Sequence, residues 1–412
     1  MKRVAITGLG VVSALGVGVD AFWSGLLAAR SGVRRITLFD PDSLNSPIAA
    51  EVPDFDPLKW IASDTIGVMD RFSQFAVVAA GEALRTAGFT AADLSREHAG
   101  VTVGSAFGGA SSEDEQYLRL YGERHLRPHP FTIPRLMNSA ATAHLSMSYR
   151  ADGPALSFGT ACAAGTHAIG EAGEIIRAGR AEIMLAGGAD APICYGVMKA
   201  WEAMRVMAPH PVEGPGRACR PFSRDRQGLV IGEGAGIVIL EEWEHARRRS
   251  ADILAELAGY GATADAGHIT QPGIDAPVRA MTAALAQASL SPDRIDYINA
   301  HGTATRLNDA TETSIIKQVF GASAAGVAIS STKSLHGHAM GASGALELIA
   351  TVLALRHGVA PPTAHYNEPD PDCDLDYTPN QPRERRIRAA LSNSFGFGGL
   401  NAVLAIREPG LS

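Results

Sequence analysis

The apolar positions of the chain fall into two patterns, one typical of buried strands and one typical of amphipathic helices. Apolar runs at residues 4–7 and 100–105 have strand length, and each is predicted to end in a glycine-containing turn. Apolar residues recur at helical spacing over residues 72–87 and 278–289. The alternation restarts with a strand at residues 253–260. This pattern predicts an α/β protein with helices covering mixed sheets, built from two similar halves.

The first predicted turn, GLGVVS at residues 8–13, is similar to the glycine fingerprint of dinucleotide-binding folds. Ser13 replaces the third glycine, and no acidic residue ends a second strand at the spacing that a ribose contact requires. The sequence therefore argues against a nicotinamide cofactor.

Composition narrows the class of protein further. The 412 residues are 46% hydrophobic and 19% charged, as expected of a compact protein with a large core. A net charge of −7 gives no basic surface for nucleic acid. No apolar run approaches the ~18 residues of a membrane span, and residues 1–8 are typical of a strand and its turn rather than a signal peptide.

Cysteine usage indicates a reducing, cytoplasmic compartment. The cysteines are far apart and form no C-x-x-C pair, which argues against a disulfide framework and a cysteine zinc site; they are Cys162, Cys194, Cys219 and Cys373. Among them, only Cys162 is flanked by small residues at the start of a predicted helix, in FGTACAAG at residues 158–165. Amides at a helix N-terminus stabilise a thiolate, so Cys162 is predicted to be a nucleophile.

Two later segments carry side chains that would serve such a thiol. His301 ends a predicted strand in NAHGTAT (299–305), and His338 lies in a glycine-flanked turn that opens a helix. A neutral imidazole in such a turn can donate an N–H to a developing oxyanion. Lys333 follows another strand end and, if buried, requires a carboxylate, for which Glu312 and Glu347 are the candidates.

A metal site is the less favoured interpretation of these histidines. His336 and His338 are close enough in sequence to chelate an ion, but no third ligand accompanies them. The sequence therefore predicts no metal.

Together these residues resemble the β-ketoacyl-[acyl-carrier-protein] synthases of the thiolase superfamily, most closely the elongating synthase II type. Further segments in the same order extend the resemblance over nearly the whole chain: ITGLGVVS (6–13), MDRF (69–72), PFSRDRQG (221–228), GEGAG (232–236) and NSFGFGG (393–399). The resemblance implies a thiolase-like five-layered αβαβα fold from two duplicated halves, residues 1–250 and 251–412, and usually a homodimer.

The resemblance also implies a ping-pong decarboxylative Claisen condensation. Cys162 would accept an acyl group from a phosphopantetheine arm that arrives on acyl carrier protein, so no resident cofactor is expected. Malonyl carrier protein would then lose CO₂, with His301 and His338 orienting the malonyl thioester and stabilising its enolate. Backbone N–H groups of Cys162 and Phe397 would form the oxyanion hole for the acyl carbonyl.

Supporting roles follow from the same resemblance. Lys333 would organise the site electrostatically, paired with Glu312. Thr303 and Thr305 would hydrogen-bond the pantetheine arm, and Phe397 would gate the acyl pocket.

The chain departs from the elongating synthases where they bind the acyl chain. Phe107 falls where a smaller aliphatic residue is common, and Trp201 aligns with another pocket position that is usually smaller. Both predict a short, flat or unusual primer.

The predicted carrier-protein surface also differs. The segment DTIGV (64–68) lacks the basic residues of housekeeping enzymes, which leaves Arg205, Arg124 and Arg127 as candidates for docking and suggests a dedicated carrier protein. Asn308, Asp309 and the following helix are similar to specialised synthases such as nodulation protein E and type II polyketide enzymes.

Two functions remain open from sequence. One is a condensing enzyme of fatty-acid, polyketide or polyene biosynthesis, working as a homodimer or beside a chain-length-factor-like subunit. The other is a non-catalytic partner subunit of a heteromeric ketosynthase, a class that lacks the cysteine. The presence of Cys162 favours catalysis.

Overall fold

The computed structural model describes residues 2–411, in which the strands belong to one long continuous sheet and two small two-stranded sheets. The strands are β1 Val4–Ser13, β2 Gly16–Val17, β3 Arg34–Arg35, β4 Ile48–Ala49, β5 Gly100–Gly104, β6 Ala155–Phe158, β7 Ile183–Asp190, β8 Gly234–Glu242, β9 Ala255–Ala264, β10 Tyr297–Asn299, β11 Ala328–Ser330, β12 Val359–Ala360, β13 Arg383–Glu384, β14 Ala389–Gly396 and β15 Leu400–Arg407.

Helices fill the connections between these strands. They are α1 Val19–Leu27, α2 Ser63–Ile66, α3 Arg71–Ala87, α4 Ala91–Arg96, α5 Ala110–Tyr117, α6 Thr132–Leu136, α7 Ala140–Tyr149, α8 Ala164–Arg177, α9 Tyr195–Ala203, α10 Trp243–Arg248, α11 Asp275–Ala288, α12 Arg306–Phe320, α13 Lys333–His336 and α14 Ser343–His357. Short 3₁₀ turns lie at Ala161–Ala163 and Met340–Ala342, directly before α8 and α14.

The two halves of the chain have the same strand topology. The N-terminal half has the order β1-β8-β7-β5-β6 and the C-terminal half the order β9-β15-β14-β10-β11. In each half the first three strands are antiparallel neighbours, and the last three are parallel neighbours. A short pairing of β1 with β9 joins the halves. Identical order and direction confirm the predicted duplication, and we propose residue 250, between α10 and β9, as the boundary.

Helices α8 and α14 form the central layer. They contact each other, and each also contacts strands of both halves. On the outer faces, α3 covers β1, β8 and β7, while α11 covers β9 and β15. Helix–sheet–helix–sheet–helix is the predicted five-layered arrangement. Because α14 is buried from Ser343 to Leu355, its sequence is apolar on all sides rather than amphipathic.

The predicted turn at residues 8–10 is wrong, because β1 continues through it to Ser13. The glycines of this segment instead allow α3 to lie close to the strand. A Cβ on Gly8 would lie 2.2 Å from the carbonyl oxygen of Ala83, and one on Gly10 would lie 1.8 Å from that of Ala79. The glycine pattern therefore serves helix–strand packing, which is also why it is similar to a nucleotide fingerprint without being one.

The long periodic helices and strands agree with those predicted from the sequence, whereas several short elements and one strand near the C-terminus were not predicted. Helix α3 begins after its N-cap Asp70 and ends at Gly88, which has the left-handed conformation (φ 77°) expected of a C-cap. Strand β15 and helices α7 and α9 were not predicted. Among residues 2–411, no helix combines the length and apolarity needed to cross a bilayer.

Candidate active site

Cys162 lies where β6 leads through a tight turn into the central helix α8. Ala161, immediately before it, has a left-handed backbone (φ 48°), and the 3₁₀ turn then runs directly into the helix. The cysteine is 7% exposed. Its sulfur and one ring nitrogen each of His301 and His338 all lie within 4.8 Å of one another. The three predicted reactive groups therefore converge, although His301 and His338 are contributed by the other half of the chain.

The electrostatic setting of the thiol differs from the sequence prediction. Burial raises the pKa of Cys162 to about 11, although the Lys333 charge and the backbone N–H groups of Phe397 and Cys162 lower it. Desolvation therefore outweighs the groups that favour the thiolate, so the thiol pKa is raised and not lowered as the helix start predicted. Those two N–H groups are the predicted oxyanion donors, and both act on the sulfur to which an acyl carbonyl would be attached.

Lys333 is completely buried, and three acceptors surround its ammonium group. It forms an ion pair with Glu347, donates to the backbone oxygen of His301 at 2.6 Å, and lies 3.4 Å from Nδ1 of the same histidine. An ammonium carries three donors, so this arrangement uses all of them. Lys333 is thus a fixed positive charge behind His301 rather than a free base.

The predicted pairing of Lys333 with Glu312 is wrong. Both oxygens of Glu312 accept backbone N–H groups, from His301 and from Gly302, each at 2.8 Å, and Asn393 donates to it at 3.2 Å. Glu312 therefore holds the backbone that carries His301, whereas Glu347 on α14 neutralises the lysine. Sequence spacing alone did not distinguish the two carboxylates because the N-terminal parts of α12 and α14 meet at the site only in the folded chain.

The hydrogen bonds of both histidines select one neutral tautomer. Nδ1 of His338 accepts the backbone N–H of Met340 at 3.2 Å and lies 2.9 Å from the Ser343 hydroxyl. Nδ1 of His301 faces the Lys333 ammonium. Since each Nδ1 is an acceptor, each ring carries its proton on Nε2. Burial, followed by the Lys333 charge, lowers the pKa of both histidines well below 6.5, so two neutral N–H donors are available at neutral pH.

The Nε2–H tautomer of both histidines argues against a metal ion bound by Cys162, His301 and His338. One thiol and two imidazoles within 4.8 Å are a plausible zinc donor set by distance. Coordination through Nε2 would move each proton to Nδ1, against the Met340 N–H on one ring and the Lys333 ammonium on the other. The site thus favours two hydrogen-bond donors over two metal ligands. His336 takes no part, since its Nε2 contacts Thr332 and its ring packs beside Phe22.

A largely apolar pocket leads to the three groups. Thr303 and Thr305 line it and lie 2.9 Å apart through their hydroxyls, and Trp201 and Phe397 line it as well. The loop that carries Phe397 is tied to residues 265–273. Asp265 accepts the Asn401 amide at 2.7 Å, and the Gly398 N–H donates to the Ile269 oxygen at 2.8 Å.

Phe107 packs behind this pocket rather than at its mouth. Its ring centroid lies 6.4 Å from that of Trp201, which in turn stacks on Phe397 at 5.9 Å. All three aromatic residues belong to the same apolar cluster as Cys162. The two residues that depart from the elongating synthases are therefore next to each other and belong to the apolar cluster that contains Cys162.

The three candidate docking arginines are exposed, but only one adjoins the pocket. Arg205 precedes the lining residue Val206, whereas Arg124 and Arg127 lie between the π-helical turn Leu118–Gly122 and α6. Sequence reasoning missed Arg306, which is exposed between the lining residues Thr305 and Leu307.

Asp190 is a second residue that the sequence analysis missed. It ends β7, is completely buried, and receives four hydrogen bonds beside the site. The available signal was an acidic residue ending an apolar strand, directly after Gly187, Gly188 and Ala189.

Comparisons with known proteins agree with this geometry. The family model "Beta-ketoacyl synthase, N-terminal domain" matches residues 1–246, and "Beta-ketoacyl synthase, C-terminal domain" matches residues 254–367. The chain is 47% identical over 407 residues to nodulation protein E of Rhizobium sp. (strain N33), covering 99% of each. It is 43% identical over 410 residues to 3-oxoacyl-[acyl-carrier-protein] synthase 2 of Coxiella burnetii (strain RSA 493 / Nine Mile phase I), covering 98% of each.

Solved structures give the same result. The ishigamide ketosynthase/chain length factor superposes with a TM-score of 0.94 at 39% identity, covering 99% of this chain and 100% of that one. The chain in a structure of a type II acyl-carrier protein with its ketosynthase bound to the hexaketide superposes with a TM-score of 0.91 at 37% identity, covering 99% of each. This chain belongs to the β-ketoacyl synthase family. It is an acyltransferase of the class that condenses an acyl thioester with malonyl carrier protein.

The buried histidines generate a prediction about pH. Burial lowers the pKa of His336 from 6.5 to about 3. Between these two values the unfolded chain binds a proton on this ring, whereas the folded chain does not. Its contribution to stability is therefore lost progressively as pH falls below 6.5. The unfolding free energy of His336→Phe minus that of wild type should therefore be about 1.4 kcal/mol larger at one pH unit below 6.5 than it is well above 6.5.

Urea unfolding of both proteins across this window measures the difference. The variant is compared with wild type because other groups act oppositely: burial raises the pKa of Asp190 to about 6. A difference in unfolding free energy that stays constant with pH would contradict the prediction.

Proposed function

We propose that this chain is an active condensing enzyme in which Cys162 carries the acyl group and His301 and His338 stabilise the malonyl-derived enolate. The observation that carries the proposal is the convergence of one thiol with two neutral imidazoles within 4.8 Å. Two Nε2–H donors match an enolate oxygen, which bears the charge that decarboxylation creates. Burial keeps His301 neutral, and Lys333, paired with Glu347, lowers the pKa of this histidine further and orients its ring.

In the first half-reaction, the Cys162 sulfur attacks the primer thioester carbonyl. The backbone N–H groups of Cys162 and Phe397 stabilise the tetrahedral oxyanion. The carbon–sulfur bond to pantetheine breaks, the acyl group remains on Cys162, and the proton of the thiol leaves on the pantetheine sulfur. The phosphopantetheine arm arrives on the carrier protein past Thr303 and Thr305, and we propose no resident cofactor or metal.

In the second half-reaction, malonyl carrier protein loses CO₂, and the electron pair of the broken carbon–carbon bond stays on the thioester as an enolate. The enolate carbon attacks the acyl carbonyl on Cys162, and the Cys162 thiolate leaves and is reprotonated. The product is a 3-oxoacyl carrier protein. Because both imidazoles enter this step neutral, they donate hydrogen bonds and do not deliver a full proton.

The alternative is a non-catalytic partner subunit, favoured by the likeness to a chain named as a ketosynthase/chain length factor. The intact Cys162 with its two donors speaks against that role. Mass spectrometry of the protein after incubation with acyl carrier proteins separates the two, because only an enzyme gains the acyl mass on Cys162.

We expect wild type to form acyl-Cys162 and to release CO₂ from malonyl carrier protein. His301→Ala and His338→Ala should still be acylated but should release CO₂ on the order of a hundredfold more slowly, as for loss of an oxyanion donor. Cys162→Ala provides the control that cannot be acylated. Wild-type protein that neither acquires the acyl mass nor releases CO₂ would refute the proposed function.

We further propose that Phe107 and Trp201 restrict the primer to short, flat or unusual chains. The support is their adjacency to each other and to the Cys162 cluster. Two aromatic rings fill the volume into which a long saturated chain would extend. The enzyme would then serve a specialised fatty-acid, polyketide or polyene product.

Phe107→Ala should increase loading of longer saturated primers by on the order of tenfold, since it frees apolar volume beside the acyl chain. The measurement is the chain-length profile of acyl-Cys162 by mass spectrometry. Phe55→Ala removes a ring that packs on Phe75 elsewhere in the fold and serves as control. Efficient wild-type elongation of a long saturated primer would contradict the restriction.

For the carrier protein, we propose docking at the pocket rim through Arg205 and Arg306, with a dedicated acidic carrier as partner. Both side chains are exposed beside lining residues. Arg124 and Arg127 stay candidates for a wider footprint of the carrier. A cationic rim attracts an acidic partner and mainly affects association.

Reversing the charge of Arg205 or Arg306 to glutamate should raise KM for carrier-bound malonyl by roughly tenfold. KM for a small malonyl thioester of N-acetylcysteamine should stay unchanged, because that substrate touches no rim arginine. Arg247→Glu on α10, an exposed arginine paired with Glu244, is the control. Equal effects on both substrates would place the defect in catalysis and overturn the docking proposal.

We propose that two copies of the chain pair through the free edge of β6. In the described residues β6 pairs only with β5, and Leu156 on it is 46% exposed. Large apolar side chains exposed nearby in sequence support a covered surface: Leu118, Tyr121, Leu126, Phe131, Ile133, Met137 and Met147. Exposed apolar surface of this kind marks an interface.

Sedimentation should give a dimer for wild type and a monomer for Leu156→Asp, because a charge on the edge strand opposes strand pairing. Leu38→Asp, at another exposed leucine, is the control. A wild-type monomer that dimerises only with a second, different ketosynthase chain would support the heterodimer instead.

We also propose the cytoplasm as the compartment. All four cysteines are free thiols and buried, which suits a reducing environment. A disulfide detected in the protein isolated from cells under alkylating conditions would contradict this.

A further inference from the structure

Asp190 occupies a position where the two halves of the chain meet behind the nucleophile. It ends β7 in the N-terminal half, and its carboxylate is completely buried. None of the steps proposed above uses it. A buried carboxylate is costly unless its oxygens are fully satisfied, so its partners indicate what it holds in place.

Each oxygen of Asp190 accepts two hydrogen bonds. Oδ1 accepts from the Ser105 hydroxyl at 2.6 Å and the Phe107 N–H at 3.1 Å. Oδ2 accepts from the Ala106 N–H at 2.9 Å and the Gly341 N–H at 2.6 Å. Four donors and no acceptor converge on the group, so it is ionised in this arrangement.

Three of these donors belong to the turn that carries Phe107, whose ring packs on the pocket-lining Trp201. The Ser105 hydroxyl also accepts the Gly108 N–H at 2.8 Å, which closes that turn on itself. Asp190 therefore fixes the backbone on both sides of Phe107, and through it the ring that packs on Trp201.

The fourth donor belongs to the turn that carries His338. Gly341 follows Met340, whose N–H donates to Nδ1 of His338 and so sets the tautomer of that ring. A Cβ on Gly341 would lie 2.6 Å from the Ala106 nitrogen and 2.7 Å from Oδ2 of Asp190. The two turns are thus in direct backbone contact, with the carboxylate between them.

We propose that Asp190 is a positioning residue that holds the Phe107 turn and the His338 turn in one geometry, so that primer selectivity and malonyl decarboxylation depend on the same carboxylate. This rests on the proposed function, because it assigns to Asp190 an effect on both proposed half-reactions. Asp190 would contact neither substrate and would act through the two turns.

Asp190→Asn tests the proposal in full-length protein. Because each oxygen accepts two donors, either orientation of the amide directs its NH₂ group at two donors. We expect CO₂ release from malonyl carrier protein to fall on the order of tenfold to a hundredfold in kcat with KM little changed, as for a small displacement of a catalytic group. The chain-length profile of acyl-Cys162 should broaden in the same variant.

Glu241→Gln is the matched control. Glu241 is also a completely buried carboxylate, but its partners Thr7, His245 and Arg249 lie outside the site. Thermal unfolding of both variants gives the loss of stability. The proposal predicts that Glu241→Gln alters stability while leaving the chain-length profile and the CO₂ release rate unchanged.

Ser105→Ala covers the case in which Asp190→Asn does not fold. It removes one donor and the closure of the Phe107 turn but keeps the carboxylate, so the chain-length profile should shift. An unchanged profile in Ser105→Ala, an Asp190→Asn enzyme equal to wild type in both assays, or the same changes in Glu241→Gln would overturn the inference. Failure of the proposed function is separate, since wild type would then neither load an acyl group nor release CO₂.

Discussion

The site depends on a close backbone contact between the two halves, in which Gly341 from the C-terminal half lies against Gly165 and Gly188 from the N-terminal half. A Cβ on Gly165 or Gly188 would lie 2.6 Å or 2.4 Å from the Gly341 oxygen. Helices α8 and α14 begin next to this contact, the first just after Cys162 and the second just after the His338 turn. Any larger residue would separate the nucleophile from its histidine, so the catalytic distances follow from the absence of three side chains.

A buried ion pair, Lys333 with Glu347, stabilises the arrangement of the groups that this packing brings together. Lys333 and Glu347 are both completely buried and form an ion pair. Burying either charge alone would be costly, so removing one partner strongly destabilises the fold. The lysine in turn depresses the pKa of His301 and His338 after burial has done so first. Burial and one buried cation together therefore keep two imidazoles neutral, and the cation orients one of them, which explains why the site presents hydrogen-bond donors and not acids.

The residues proposed for catalysis and those proposed for primer selectivity occupy different parts of the site. The Cys162, His301 and His338 set faces the pocket from strand ends and turns shared by both halves, whereas Phe107, Trp201 and Phe397 form an aromatic series alongside it. Substitutions in the aromatic series can alter which primer is accepted without removing a donor from the reaction. This separation is consistent with a family in which similar chains serve fatty-acid and specialised products.

Sequence by itself determined the α/β class, the duplication, the long helices, and the three candidate reactive residues that converge in the fold, because strand and helix periodicity and short motifs are local properties. Only the tertiary structure decided that β1 runs through its glycines, that Glu347 rather than Glu312 neutralises Lys333, and that Asp190 belongs beside the site. It also showed that burial raises the thiol pKa in spite of the Lys333 charge and the backbone N–H groups of Phe397 and Cys162. Partner choice, desolvation and close approach depend on residues far apart in the chain, so no local pattern encodes them.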